Sequence, residues 1–355
     1  MGTHRAAIVG TGGIAGAHAL ALRACPERVQ IVAAMDIDPQ QLEAFCQEHG
    51  VSAKYTDLDS MLTDQRPDVV HVCSSSTAHG AATVRSLQAG AWVLCEKPIC
   101  GSLRELDQIE AAQGASGPYA ASVLQQRFGS SSAHVKALVD QGAFGRPLVA
   151  QCVSTWYRDR PYYAVPWRGQ WRTALGGATT TQGIHAIDLM LWLLGDWSEL
   201  RATMDTLDRD IEVEDVSMAH VQFENGALAS VLNSVLCPRE ETFLRFDFRD
   251  ATVELRHLYA FENKHWTITA APHVDPADLE AWRAFGPDVP TSHAAQVSAF
   301  LNSMDEGRPP LTSGPEARRA IEFITSLYKS ARTGEPVVRG SIVEGDAFYD
   351  SMHGG

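Results

Sequence analysis

A short apolar run, Ala6-Ala7-Ile8-Val9, breaks into Gly10-Thr11-Gly12-Gly13-Ile14-Ala15-Gly16, and a second apolar run, Val29 to Met35, ends on Asp36. No other stretch limits the possible folds as strongly. Strand, glycine turn, helix, strand and then an acid twenty residues past Gly16 is the order a dinucleotide-binding unit requires. Gly10 lets the chain turn sharply off the first strand. Gly12, with Gly13 and Ile14 beside it, lets the backbone approach a pyrophosphate whose charge the next helix N-terminus holds. Ala15 takes the third glycine position. Asp36 is placed to accept hydrogen bonds from an adenosine ribose and to repel a 2′-phosphate, so the spacing predicts NAD rather than NADP. A strand–helix turn without a ligand would explain the glycines but leave Asp36 as a coincidence.

The alternation continues through the first third of the chain. Strands are predicted at Ala6–Val9, Val29–Met35, Lys54–Tyr55, Val69–Cys73, Trp92–Cys95 and Ala120–Leu124. Helical patterns lie between them at 14–23, 39–49, 58–63, 78–89 and 103–112. Repeated units of this kind predict a doubly wound parallel sheet, with ligands beyond the carboxyl ends of the strands. The pattern changes near residue 145. Longer alternating segments follow at 148–156, 199–207, 217–223, 227–235, 243–248 and 266–270, and Asn225-Gly226 marks a hairpin. Helices are expected at 133–140, 184–194, 294–304 and 315–331. The chain is therefore divided into a Rossmann domain, 1–124, and an α+β domain, 125–355, built on a large, mostly antiparallel, open-faced sheet.

Composition narrows the function classes. Acidic residues outnumber basic ones 43 to 29, and the net charge of −14 opposes binding to nucleic acid or anionic membranes. No run approaches the ~18 apolar residues of a membrane span, and the opening run is too short for a secretory signal. Seven cysteines, odd in number and scattered without Cys-x-x-Cys spacing, read as buried thiols of a cytoplasmic protein. Cys95 and Cys100 are assigned to packing.

Two further segments carry chemistry: Leu94-Cys95-Glu96-Lys97-Pro98, at the end of a parallel strand, and Gly176-Gly177-Ala178-Thr179-Thr180-Thr181-Gln182-Gly183-Ile184-His185-Ala186-Ile187-Asp188. With the glycine loop, Phe223-Glu224-Asn225-Gly226 and the closing Ser330-Ala331-Arg332-Thr333-Gly334-Glu335-Pro336, the chain resembles the glucose–fructose oxidoreductase / inositol dehydrogenase / MocA family almost end to end. The resemblance implies that Lys97 lies beside the nicotinamide, often before a cis proline, and that Glu96 lies near its ribose. It also implies that His185 faces the reacting hydroxyl or carbonyl. The loop containing Ser74, Ser75 and His79 borders the cofactor in this family, although Pro-Asn usually stands where this chain has Ser75-Ser76. An N-cap by Ser76 or Thr77 is an equally natural role for that loop. Gln125 is placed with the cofactor residues.

Residue chemistry agrees with these roles. Oxidising a carbinol requires a group to take the hydroxyl proton, and an imidazole with an ordinary pKa of ~6.5 does so near neutrality. A lysine ammonium beside a cationic nicotinamide is disfavoured, which suits Lys97 as a proton partner. Many members of the family carry aspartate where this chain has Thr181. A hydroxyl can position a sugar but cannot hold charge. Asp188 is expected on the helical face of His185, either as a compensating carboxylate or in packing. His-x-x-Asp lacks a third ligand at zinc-like spacing, so no metal is assigned. Substrate selection is assigned to the aromatic and basic run from Trp156, with Tyr157, Arg158, Trp167 and Arg168. Some of these residues could equally pack a domain or subunit contact. The acidic pair Glu214-Asp215 is expected to face solvent.

The expected activity is NAD-dependent hydride transfer at a ring carbon of a sugar, cyclitol or sugar derivative, in a homodimer or homotetramer joined through the open sheet. The alternatives are a redox-neutral glycosidase or lyase that oxidises the ring transiently, and a non-catalytic NAD-binding sensor.

Overall fold

The computed structural model describes residues 3–355. Two compact units form, one running to Leu124 and taking in His293–Arg318, the other comprising Gln125–Ser292 and Arg319–Gly355.

The first unit is built on six parallel strands: β1 (His4–Val9), β2 (Val29–Met35), β3 (Ala53–Tyr55), β4 (Val69–Val72), β5 (Trp92–Cys95) and β6 (Ala120–Ser122). Helices α1 (Ala15–Arg23), α2 (Pro39–His49), α3 (Leu58–Gln65), α4 (His79–Gln88) and α5 (Leu103–Ala112) connect them. The strand order β3-β2-β1-β4-β5-β6 reverses between β1 and β4, which places the switch point of a dinucleotide fold at their carboxyl ends. Central strands read as continuous apolar runs because both faces are covered, and all four residues of β4 are buried. Local chemistry sets the helix ends. Asp38 accepts from the Gln40 amide at 2.9 Å to start α2, Pro39 takes its first position, and Gly50 ends it at φ 59°. The expected N-cap by Ser76 or Thr77 does not form. A short 3₁₀ turn, Ser76–Ala78, leads into α4 without a side-chain cap.

The second unit carries α6 (Ser130–Asp140), α7 (Arg160–Tyr163), α8 (Trp171–Ala174), α9 (Ile184–Leu194) and α10 (Pro276–Trp282). Its strands are β7 (Pro147–Thr155), β8 (Trp197–Asp205), β9 (Val216–Phe223), β10 (Leu228–Ser234), β11 (Glu241–Phe248), β12 (Ala251–His257), β13 (Trp266–Ala270) and β14 (Val337–Val338). They form one sheet in the order β13-β12-β11-β7-β10-β9-β8-β14, antiparallel except for the β7–β10 pair. In β9, Ser217, Ala219, Val221 and Phe223 are buried while Met218, His220 and Gln222 are exposed, so one face of the sheet is open. β12 lies outside the predicted strands because Arg249-Asp250, the turn before it, contains neither glycine nor asparagine.

Helix α11 (His293–Glu306) corrects the expected domain division. Its Val297, Phe300 and Leu301 pack in the same core as Ala15, Ala19 and Leu22 of α1, so this segment belongs to the first unit. Chain order alone placed it with the second, because its apolar face does not reveal which core it joins. A further helix, α12 (Pro315–Thr333), follows it.

Every residue of α9 is buried, which makes Asp188 an internal charge. Arg127, itself fully buried, meets it with Nε at 2.8 Å and Nη2 at 2.5 Å. Removing one partner strands the other charge away from water. Arg127→Met should therefore lower the urea unfolding free energy by about 3–5 kcal/mol. The double variant Arg127→Met/Asp188→Leu should recover most of the loss.

Candidate active site

The glycine turn is fixed by a close backbone approach. Gly10 sits at φ +84°, and a Cβ there would lie 2.5 Å from the Cα and N of Ser74, so only glycine lets the β1 and β4 loops pass. At Gly12 and Gly13 a Cβ would meet nothing within 4 Å, so the outer side of the loop is open at the start of α1. Beside it, Asp36 Oδ2 accepts from the Thr11 amide at 2.6 Å, the Thr11 hydroxyl at 2.9 Å and Gln41 Nε2 at 3.0 Å. Oδ1 accepts from the Asp38 amide at 2.9 Å and keeps acceptor capacity. Burial raises the Asp36 carboxyl pKa, but the amides of Asp38 and Thr11 and the side chains of Gln41 and Thr11 outweigh it and hold it below the usual range. The Ser74 hydroxyl is buried with no partner among the described residues. An open glycine cradle, an ionised acid at the end of β2 and an orphaned hydroxyl after β4 fit a dinucleotide. Gly10, Gly12, Gly13, Ile14, Asp36, Ser74 and Ser75 are the residues that would hold it.

His79 is buried and lies behind this loop. Its Nδ1 is 2.7 Å from the Pro98 carbonyl and its Nε2 3.0 Å from the Ser74 carbonyl, so it ties the two segments together. Burial holds its pKa below the usual value despite both carbonyls, and a neutral ring donates to only one of them.

Glu96 is the hub of a buried network that the sequence analysis did not anticipate. Its Oε1 is 3.0 Å from His18 Nε2 and 3.2 Å from His293 Nε2, its Oε2 accepts from the Lys97 amide at 3.2 Å, and His18 Nδ1 is 2.8 Å from His71 Nδ1. Burial opposes the charge on Glu96, but the hydrogen bonds from His18 and His293 prevail and hold its carboxyl well below the usual range. The liganding atoms of His18, Glu96 and His293 lie within 4.8 Å of one another. Hydrogen bonds from the two imidazoles account for this grouping. His18 was legible in principle, since it falls on the buried stripe Ala15, His18, Ala19, Leu22 of α1. His71 and His293 come from β4 and α11, and no local pattern joins them. The Lys97–Pro98 peptide is cis.

In the second unit, a π-turn over Thr179–Gly183 leads into α9 and sets His185 near its start. Glu214 holds this turn from beneath. It accepts from the Gly177 and Thr179 amides, both at 2.9 Å, and from the Tyr328 hydroxyl at 2.9 Å. Burial raises its carboxyl pKa in spite of these donors. A Cβ on Gly177 would fall 1.8 Å from the Glu214 carbonyl oxygen, which explains the glycine before the turn. The expectation that Glu214 and Asp215 face solvent is wrong, as they are 2% and 0% exposed. Asp215 accepts from the amides of Leu207, Asp208 and Arg209. Buried amides needed acceptors there, and the strand pattern did not reveal them.

His185 lies in an aromatic enclosure. Trp156 stacks at 6.3 Å between ring centroids, and Tyr259 meets it edge-on at 6.4 Å. The buried Gln125 donates to the Tyr259 hydroxyl, which places it beside this enclosure. Thr181 Oγ1 lies 2.5 Å from the Gly177 carbonyl oxygen and beside Gln182 Oε1, and its single proton serves one of them. Asp188 is held by Arg127, a buried pairing that its spacing to His185 does not disclose. Arg168 lies over Tyr162 at 3.9 Å, Arg158 lies over the same ring at 5.2 Å, and Trp167 is 5.1 Å from Arg168. Tyr157 stands apart from this group, under Arg209.

Comparison with known proteins decides the family. Residues 4–119 match the NAD-binding Rossmann fold of the GFO/IDH/MocA oxidoreductase family, and residues 132–254 match the GFO/IDH/MocA C-terminal domain. The chain belongs to this family. It is an NAD-binding oxidoreductase. A D-apiose dehydrogenase from Paraburkholderia graminis is 25% identical over 94% of this chain and 89% of its own length. A D-glucoside 3-dehydrogenase from Escherichia coli is 23% identical over 94% and 97%. Among solved structures, the WlbA dehydrogenase from Bordetella pertussis in complex with NADH and UDP-GlcNAcA superposes with a TM-score of 0.85 at 26% identity, covering 95% and 98% of the two chains. Among the described residues no helix is long and apolar enough to cross a membrane.

Asp36→Ala should weaken NADH binding by about tenfold or more, the loss of a charge-assisted hydrogen bond, and should narrow the preference over NADPH. Fluorescence titration of both cofactors tests this. Equal affinities before and after substitution would remove Asp36 from the ribose site.

Proposed function

We propose that this protein oxidises or reduces a ring carbon of a sugar, cyclitol or sugar derivative, with His185 as principal acid/base and Lys97 as its partner. The observation that carries the proposal is the placement of His185 at the head of α9 within the walls of Trp156 and Tyr259. Aromatic faces suit the C–H faces of a sugar, and the imidazole suits the proton of its hydroxyl. NAD, when bound, supplies the hydride donor or acceptor. In oxidation His185 takes the hydroxyl proton as the C–H bond breaks, and in reduction it returns that proton to the carbonyl oxygen. Glu214 and the Gly177 turn hold the imidazole's segment in place, while Glu96 holds the backbone at Lys97. The relatives named as sugar dehydrogenases support this substrate class.

His185→Ala and Lys97→Ala should each reduce substrate-dependent NADH formation by about 10²–10⁴-fold while NADH still binds. Absorbance at 340 nm with inositols, aldoses and anhydro-sugars measures it. Glycoside consumed without accumulation of NADH would replace this proposal with the redox-neutral one.

We also propose that copies of the chain associate through the open sheet face. Val149, Leu228 and Met218, on the neighbouring strands β7, β10 and β9, are 46%, 55% and 52% exposed. Val149 and Leu228 are register partners. Apolar side chains exposed along one sheet face are poorly left in water. Leu228→Glu should lower the native mass measured by light scattering, and an unchanged mass would exclude this face.

A further inference from the structure

We propose that the substrate site takes an anionic sugar, one bearing a carboxylate or phosphate that Arg168 receives; this rests on the sugar oxidoreductase function proposed above. Arg168 lies with its guanidinium over the Tyr162 ring at 3.9 Å and near Trp167 at 5.1 Å. Its Nη1 donates to the Tyr162 carbonyl at 3.1 Å, which fixes the plane of the fork. Its Nε is buried with no partner among the described residues. Arg158 stands over the same ring, 5.2 Å away, and over Trp156, 5.8 Å away. Its Nε is likewise buried and unpartnered, and Glu240, at 3.3 Å from its Nη1, is the carboxylate that pairs with it. Two guanidiniums thus share one ring.

Three other arginines with buried or half-buried guanidiniums are paired with carboxylates. Arg127 has Asp188, Arg319 has Asp196, and Arg318 has Asp107 and Glu110. Arg168 differs in being stacked, oriented and left with an N–H turned away from water. A guanidinium in that state is completed best by an oxyanion, which accepts from two N–H groups of the fork at once. A neutral hydroxyl offers one weaker acceptor.

The position connects to the chemistry. Trp156, under Arg158, is the ring stacked on His185. The Tyr162 hydroxyl, on the ring under Arg168, lies 3.5 Å from Nε2 of Gln182, three residues before His185. A sugar with its reacting carbon at His185 would thus direct a substituent along this row. The net charge of −14 makes the row more selective, since the protein as a whole repels anions and only a local cation recruits them.

The test uses the full chain saturated with NADH or NAD⁺ and three probes: D-glucuronate, D-glucose 6-phosphate and D-glucose. Calorimetric Kd values on the NADH form read the subsite, and NADH formation reads the chemistry. At least one anionic probe should bind about 10- to 100-fold more tightly than glucose. Arg168→Met should collapse that ratio towards one, and Arg168→Lys, which keeps charge but loses the fork, should leave it in between. The glucuronate and phosphate arms identify which oxyanion is taken. Equal or preferred binding of glucose overturns the proposal, as does a ratio that survives Arg168→Met in protein that still binds NADH. Anion-selective binding with no turnover of any sugar would instead keep the subsite and overturn the sugar chemistry proposed above.

Discussion

The first unit depends on one steric fact. The loops leaving the adjacent strands β1 and β4 pass so closely at Gly10 and Ser74 that no side chain fits between them. Both loops leave the sheet where the strand order reverses, so the contact that forbids a Cβ also defines where a pyrophosphate can approach. Asp36, two loops in the β4 and β5 regions and the start of α1 are arranged around that point. His79 lies between the Ser74 and Pro98 carbonyls, so one buried ring packs against the loops after both β4 and β5.

Buried carboxylates organise both units in the same way. Glu96 gathers His18, His293 and the Lys97 amide, and Glu214 gathers the Gly177 and Thr179 amides and a tyrosine hydroxyl. Each acid is costly to bury and is stabilised by several donors. The outcome differs with the donors: two imidazoles hold the Glu96 carboxyl pKa well below the usual range, whereas burial of Glu214 outweighs its neutral donors and raises its pKa. In both cases the segment fixed by the acid leads directly to a residue proposed for chemistry, Lys97 in the first unit and His185 in the second.

Much of the fold was legible because its signals are local. The glycine turn, the apolar runs of β2 and β5, the Asn225-Gly226 hairpin and the apolar helix from Ile184 each show in a few consecutive residues. What failed was non-local. Glu214 and Asp215 look like a solvated acidic pair until the amides of two separate loops close over them. Asp188 shows its helical spacing to His185 in the sequence, but not its pairing with Arg127, which arrives from another segment. Helix α11 reads as part of whatever follows it in the chain until its apolar face is seen in the core with α1.

The sequence by itself determined the kind of protein: a βαβ unit with an acid placed for NAD, the Glu96-Lys97-Pro98 segment, and a glycine-rich approach to His185. These are properties of short stretches, where backbone sterics and spacing leave few alternatives. Only the tertiary structure decided which charges are buried and what balances them, from the His18–Glu96–His293 network to the unpartnered Nε of Arg168. The state of an ionisable group depends on every element that closes around it. Those elements meet only when the chain folds.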